Sequence, residues 1–295
     1  MSQDLNKSNT ILAHETVPTA FIDVKGTKFA YRSFGQQEGV PVVFLQHFTG
    51  TLDNWDPAVT NELAKTHPVI LFDNKGIGSS EGETPATVAE MADDTYDFIN
   101  TLGLEKVYLL GFSLGGFIAQ NLAERYPELV SKVILAGTGP KGSEGITEIV
   151  KVVTAGMSDG PAKVLRNIFF TKTNNGVEAG EQFLERLQLR KENRDTPAAG
   201  ATVNAQATAI ITYGYEKDPE YQQLRNIKQP VLIVNGTNDL IVPSINSFTL
   251  SQYLVNSKLI LWSDSGHGAL FQYSQDFVKE ANAFLAAELP NANNN

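Results

Sequence analysis

Gly111-Phe112-Ser113-Leu114-Gly115, followed by Gly116, fits the pattern G-x-S-x-G. An apolar run, Val107 to Phe112, leads into it, and a helical pattern, Leu114 to Arg125, leads out. A serine on so sharp a strand-to-helix turn is forced into strained dihedrals, and small neighbours let the adjacent backbone fit. The turn lifts the hydroxyl above the sheet. It also aims the Leu114 N–H, at a helix N-terminus, towards a developing oxyanion. The plainer alternative is a Gly-rich helix start in which Ser113 only caps the helix.

A serine hydroxyl is a poor nucleophile near neutral pH, so it needs a base and a group to orient that base. The chain order expected for such a turn is serine, acid, histidine. Of the histidines His14, His47, His67 and His267, only His267 lies downstream of Ser113. It sits in Ser263-Asp264-Ser265-Gly266-His267-Gly268, just past the run Lys258 to Trp262. Loops at strand C-termini are where parallel sheets build sites, and a glycine on each side lets the imidazole reach across. The alternative is a surface-loop histidine. Three carboxylates compete for the acid: Asp239 in Gly236-Thr237-Asn238-Asp239, Asp264 beside the histidine, and Asp218. The strand end Ala136-Gly137-Thr138-Gly139 offers none. Asp239 follows a strand directly and is favoured, with an Asx turn as its alternative. The second oxyanion donor is expected from Gln46-His47-Phe48-Thr49-Gly50, as the Phe48 N–H. His47 reads as a half-buried structural histidine, or alternatively as a substrate contact.

The elements that must hold these residues alternate along the chain. Pro41 to Gln46, Val69 to Phe72, Val107 to Phe112, Lys132 to Gly137, Pro230 to Gly236 and Lys258 to Trp262 are nearly continuous apolar runs. Strands covered on both faces read in this way. An earlier pair, Phe21 to Val24 and Lys28 to Phe34, alternates more and turns at Lys25-Gly26, which predicts an antiparallel start. Helices are expected over Thr87 to Leu102, Leu114 to Arg125, Ser244 to Leu254 and Phe271 to Leu289. Strand and helix in alternation predict an α/β fold: a mostly parallel, eight-stranded sheet with flanking helices. From about Lys141 to Lys228 no buried strand is evident, only helical pieces at Glu144 to Thr154, Ala162 to Phe169 and Gln182 to Lys191, then a weakly patterned stretch, Ala198 to Tyr213. This stretch is expected to be a helical cap insertion over the sheet. The organisation is then core (residues 15–140), cap (141–228) and core again (229–290). Phe169, Phe170 and Tyr213 are the apolar candidates to line a pocket beneath the cap, with His47 facing them.

Composition removes other chemistries. The chain has 295 residues and no cysteine, which rules out disulfides, thiolate metal sites and a cysteine nucleophile. Its formal charge of −10 disfavours phosphate backbones and anionic membranes, so neither nucleic acid nor a membrane is an expected partner. No apolar run reaches the roughly 18 residues of a membrane span, and the polar start, MSQDLNKSNT, lacks the order of a secretory signal. A cytoplasmic location is the default. No Gly-rich phosphate loop or ligand-spaced histidine cluster points to a nucleotide, flavin or metal, so no cofactor is expected. Residues 1 to about 14 and the final PNANNN read as frayed tails.

Taken together these residues resemble the α/β-hydrolase family, from about Thr19 to Leu289. Ser113, Asp239 and His267 match its nucleophile, acid and base. Asp73-Asn74-Lys75-Gly76-Ile77-Gly78-Ser79-Ser80 resembles its structural turn D-x-R-G-x-G-x-S. Two departures stand out: Lys75 replaces the usual Arg, and Gln46-His47 stands where the family usually has His-Gly. A side chain at that glycine position narrows the pocket mouth or adds a polar group to it. Within the family, a serine nucleophile argues against haloalkane dehalogenases and epoxide hydrolases, and the elbow differs from the Gly-Gly-Ser-Trp-Gly of proline iminopeptidases. The general likeness is to small esterases and cofactor-free haloperoxidase-like enzymes. The resemblance implies a serine hydrolase of a small ester or lactone. Its alternatives are a perhydrolase or carbon–carbon bond hydrolase, or a small-molecule receptor on the same scaffold. A homodimer is compatible with any of these.

Overall fold

The computed structural model describes residues 13–149, 151 and 160–287. Eight strands form one sheet: β1 (Ala20–Val24), β2 (Thr27–Gly35), β3 (Val42–Leu45), β4 (Pro68–Phe72), β5 (Val107–Phe112), β6 (Val130–Ala136), β7 (Val231–Gly236) and β8 (Ser257–Trp262). Their spatial order is β1-β2-β4-β3-β5-β6-β7-β8. The pairs β1–β2 and β2–β4 are antiparallel, and every later pair is parallel. The opening hairpin turns at Lys25 and Gly26, both at positive φ (52° and 84°), the twist that a two-residue hairpin loop requires.

The apolar runs are continuous because both faces of the sheet are covered. Val43, Leu45, Leu109, Val133, Leu135 and Ile233 face one core, which also receives the helices α2 (Val88–Thr101), α3 (Leu114–Arg125) and α8 (Ile245–Tyr253). Their sequence neighbours Val42, Phe44, Leu110, Ile134 and Leu232 face the other core, under α1 (Pro57–Ala64) and α10 (Ser274–Ala286). Caps set the helix starts. Thr87 accepts from the Glu90 amide at α2, and Asp56 accepts from the Ala58 amide with Pro57 in the first turn of α1. At the other end of the fold, the buried Lys132 ammonium on β6 donates to the carbonyls of Phe284, Leu285 and Ala287. A strand side chain thereby terminates the last helix, satisfying carbonyls that have no partner within it.

Between β6 and β7 the described residues include no strand. They include a 3-10 turn (Ile146–Glu148) and the helices α4 (Pro161–Phe169), α5 (Asn174–Arg186), α6 (Ala201–Tyr215) and α7 (Gln222–Asn226). Of the helix expected over Glu144 to Thr154, residues 144–149 and 151 are described and include only the 3-10 turn as a full element; residues 150 and 152–154 lie outside the described residues. Polar links tie this excursion to the sheet. Arg186 makes two bonds to the buried Asp56, at 2.8 and 2.7 Å, and Arg190 donates to Val17 O at 2.8 Å. Thr202 at the start of α6 donates to Gly76 O at 3.0 Å.

Three boundaries differ from the sequence reading. Helix α5 starts at Asn174, earlier than expected, because Thr173 accepts from the Gly176 amide and caps an Asn-Asn-Gly start of low propensity. The terminal helix is interrupted at Tyr273, leaving the short α9 (Ala269–Gln272) ahead of α10. There Tyr273 donates to Ser263 O at 2.9 Å and stacks on Trp262. The N-terminal tail ends sooner than expected: His14 is buried, its Nδ1 is 2.9 Å from Thr60 Oγ1, and its amide donates to Asn61.

Burial, with Arg32 close by, lowers the His14 pKa from 6.5 to about 3. Between those values the unfolded chain binds a proton that the folded chain does not, so this histidine removes stability as pH falls from 6.5. Its share of the slope is about 1.4 kcal/mol per pH unit. His14→Asn is expected to flatten the acid limb of a urea-unfolding series between pH 6 and 4 by about that amount. An unchanged limb would contradict a neutral buried His14.

Candidate active site

Ser113 lies between β5 and α3 at φ 55°, ψ −118°, a conformation that β-carbon-bearing residues rarely adopt. Surrounding backbone holds it there. Its amide donates to Ala136 O at 2.9 Å, and its carbonyl accepts from Gly116 N at 2.8 Å and Thr138 Oγ1 at 2.9 Å. The flanking glycines are required by contact: a Cβ on Gly111 would collide with the Gly115 carbonyl, and one on Gly115 with the Leu45 carbonyl. Helix α3 therefore starts hard against the end of β3, and the Leu114 amide opens it.

His267 and Asp239 approach from the C-terminal ends of β8 and β7. His267 Nδ1 lies 2.8 Å from Asp239 Oδ2, with both side chains buried. The other carboxylate oxygen of Asp239 accepts from the Ile241 and Val242 amides at 2.8 and 2.9 Å. Neither rival acid reaches the imidazole. Asp264 turns away on a left-handed backbone (φ 51°) and accepts from Thr171, Thr173 and Asn175, bonds that hold its carboxyl below the usual range. Asp218 accepts from the amides of Gln222 and Gln223.

Ser113 and His267 border one cavity of about 230 Å³. Its walls are mostly apolar: Phe48 from the β3 loop, Ile149, Val164, Leu165, Ile168 and Phe169 from the excursion, and Ile241 beyond β7. Of the four pocket candidates read from sequence, His47 and Phe169 line it. Phe170 and Tyr213 do not, and that expectation is corrected. Phe170 leaves α4 in extended conformation, which turns its ring away from the cavity onto Phe183 at 5.4 Å. Tyr213 stacks on Phe117 of α3 at 4.4 Å, facing the sheet core. His47 lies edge-on to Phe112 and Phe169, and its Nδ1 is 2.8 Å from Phe48 O. Burial lowers its pKa to about 4, so the ring is neutral near pH 7. A carbonyl only accepts, so Nδ1 carries the proton in that bond.

Sequence reasoning did not anticipate the polar end of the cavity, where Asp53, Asn54, Arg194 and Asp195 join its lining. The fully buried Arg32 lies 2.7 Å from Asp53 and 3.6 Å from Asp195. The Asp195 amide donates to Asp53 at 2.7 Å, and Ser79 donates to the Asp195 carboxylate at 2.7 Å. Burial and the Asp195 charge push the neighbouring Asp73 carboxyl well above the ordinary range, and burial raises Asp195 as well. This cluster ties the loop after α5 to the turn after β4. Among the described residues no three His, Asp or Glu side chains converge to hold a metal ion, and no helix is long and apolar enough to cross a membrane.

Comparison with known proteins agrees with this architecture. A family model described as the alpha/beta hydrolase fold matches residues 40–272. A solved structure, an alpha/beta hydrolase fold protein from Chitinophaga pinensis, superposes with a TM-score of 0.90 at 39% identity, over 94% of this chain and all of that one. The chain is 27% identical to proline iminopeptidase PfmaB of Pestalotiopsis fici, over 90% of this chain and 98% of that one. It is also 24% identical to a non-heme chloroperoxidase of Streptomyces lividans, over 88% and 96% of the two chains. With the family model spanning well over half its length, and with the strand order and serine elbow just described, this chain belongs to the α/β-hydrolase fold family.

Proposed function

We propose that the protein is a serine hydrolase that cleaves a small carboxylic ester or lactone through an acyl-enzyme. One observation carries this reading: His267, bonded to Asp239 at 2.8 Å, borders the same cavity as the strained Ser113. Ser113 Oγ attacks the carbonyl carbon and His267 Nε2 takes its proton, while Asp239 holds the ring and stabilises the imidazolium. The Phe48 and Leu114 amides hold the oxyanion, at about 3 kcal/mol for one donor. As the tetrahedral intermediate collapses, the C–O bond breaks and His267 returns the proton to the leaving alkoxide. Water, deprotonated by the same ring, then frees the acid and regenerates Ser113.

Residues 141–228 act in this reading as a cap whose apolar side chains cover the acyl group. A cavity of about 230 Å³ lies below the roughly 300–1,000 Å³ of sites for drug-sized ligands, which supports a small substrate. A second reading, perhydrolysis in the same site, is favoured by the likeness, over 88% of this chain, to a protein named non-heme chloroperoxidase. There, peroxide replaces water in the attack on the acyl-enzyme, giving a peracid.

A pH-indicator assay over short and medium esters, lactones, amides and a vinylogous diketone, with Ser113→Ala as blank, separates the possibilities. Ser113→Ala is expected to lower kcat by a factor on the order of 10⁵–10⁶ with an unchanged melting temperature. A variant keeping more than a few per cent of the rate excludes Ser113 as nucleophile. Peroxide-dependent halide oxidation lost in the same variant supports perhydrolysis. Tight binding with no chemistry supports a receptor. For the acid, Asp239→Asn is expected to lower kcat by about 10⁴. Asp264→Asn is expected to keep turnover within about threefold and cost only stability. The reverse order would move the acid to Asp264.

A further inference from the structure

The loop bearing the Phe48 amide is held at successive peptides, and the last hold comes from the excursion. The His47 amide donates to its neighbour's side chain, Gln46 Oε1, at 3.0 Å. His47 O accepts from Gly50 N at 3.0 Å. In a planar trans peptide the N–H points opposite the C=O, so this bond fixes the direction of the Phe48 N–H. The following peptide is gripped at both ends: Phe48 O accepts from His47 Nδ1 at 2.8 Å, and Thr49 N donates to Gln206 Oε1 at 2.7 Å. Thr49 sits at φ 63°, the left-handed region that a β-branched residue disfavours. Without a partner for its amide, the loop has reason to relax.

Gln206 lies on α6, 157 residues away in the chain, and is fully buried. Its Nε2 has no hydrogen-bond partner among the described residues, so only the acceptor half of the amide is in use. Helix α6 has other anchors, Thr202 on Gly76 O and Tyr213 stacked on Phe117, so it stays docked when Gln206 changes.

We propose that Gln206 is a positioning residue that supports the oxyanion-hole geometry from outside the sheet: by locking the Phe48–Thr49 peptide it keeps the strained loop in the conformation in which the preceding peptide's N–H, that of Phe48, faces the carbonyl oxygen. The proposal rests on the serine-hydrolase reading above. It makes the excursion part of the catalytic geometry as well as a cover: an oxyanion hole whose loop alone is strained is completed by α6.

The test uses the full-length protein with three variants: Gln206→Leu, which removes the acceptor; Gln206→Glu, which keeps one; and Thr202→Val, which removes a different anchor of the same helix. The readouts are kcat and KM on the best ester, the rate of Ser113 labelling by a fluorophosphonate, and hydrogen exchange at the Thr49 amide. Gln206→Leu is expected to lower kcat and the labelling rate by about 10- to 100-fold, less than removal of a donor outright. KM should stay within about threefold, because ground-state binding is not the target, and the Thr49 amide should lose protection. Gln206→Glu should restore most of both rates, and Thr202→Val should lower the melting temperature with kinetics unchanged. Equal kinetic losses in Gln206→Leu and Thr202→Val, or no rescue by Glu, would reduce Gln206 to a structural role and overturn the proposal. A wild-type Ser113 that resists labelling and hydrolyses nothing would instead remove the hydrolase reading itself, and the positioning role with it. Thr49 exchange in Gln206→Leu then reports separately whether the hydrogen bond holds the loop.

Discussion

The approach of α3 to the end of β3 is the constraint on which the site depends. At Gly115 there is no room for a β-carbon between the helix and the Leu45 carbonyl, and at Gly111 none between the strand and the Gly115 carbonyl. That contact forces Ser113 into its left-handed backbone and points the first free amides of α3 at the space above the sheet. Leu45 is also where the chain leaves β3 towards Phe48. The same contact therefore sets the distance between Ser113 and the loop that carries Phe48. Strain of this kind persists only where the surroundings over-determine it, and the central parallel strands on either side of β5 supply that rigidity.

What could be read from the sequence follows from how local each signal is. The strands β3 to β7 were legible because two covered faces leave few polar residues in the run, the half-exposed edge strand β8 because its run stays apolar after Lys258, and the hairpin from Lys25-Gly26. Ser113, Asp239 and His267 stood out because each lies in the loop just past a strand. Helix α1 carried a signal in Asp56-Pro57 but is too short to show a period. The pocket was harder. Phe169 and Phe170 are adjacent and both pack against Phe183, and nothing in the sequence tells which of the two rings also reaches the cavity. Gln206 had no local signal at all. Its partner is 157 residues away, and a single buried glutamine on a weakly patterned helix resembles any other.

The buried charges follow a similar logic. Arg32, Asp53, Asp195 and Asp73 come from four separate segments, and no two are close in sequence. Burying an arginine is costly unless its hydrogen bonds are met. Here Arg32 Nη1 donates to Asp53 in the loop after β3 and Nε donates to Thr19, while Asp195, from the excursion, faces Nη2 at 3.6 Å as a charge partner only. Burial and the nearby Asp195 charge raise the Asp73 carboxyl well above its ordinary range, the sign expected where two carboxylates share one buried site.

The Lys132 ammonium has a consequence for the order in which the molecule becomes whole. It sits in β6, in the middle of the sheet, yet its acceptors are the last carbonyls of α10. While the chain is being made, β6 is available long before residue 284 leaves the ribosome. Until then the ammonium lies uncovered, over the Tyr108 ring of β5. The last helix thus meets on β6 a cation already placed for its final carbonyls, a polar stop that adds to its apolar face in fixing where the helix ends.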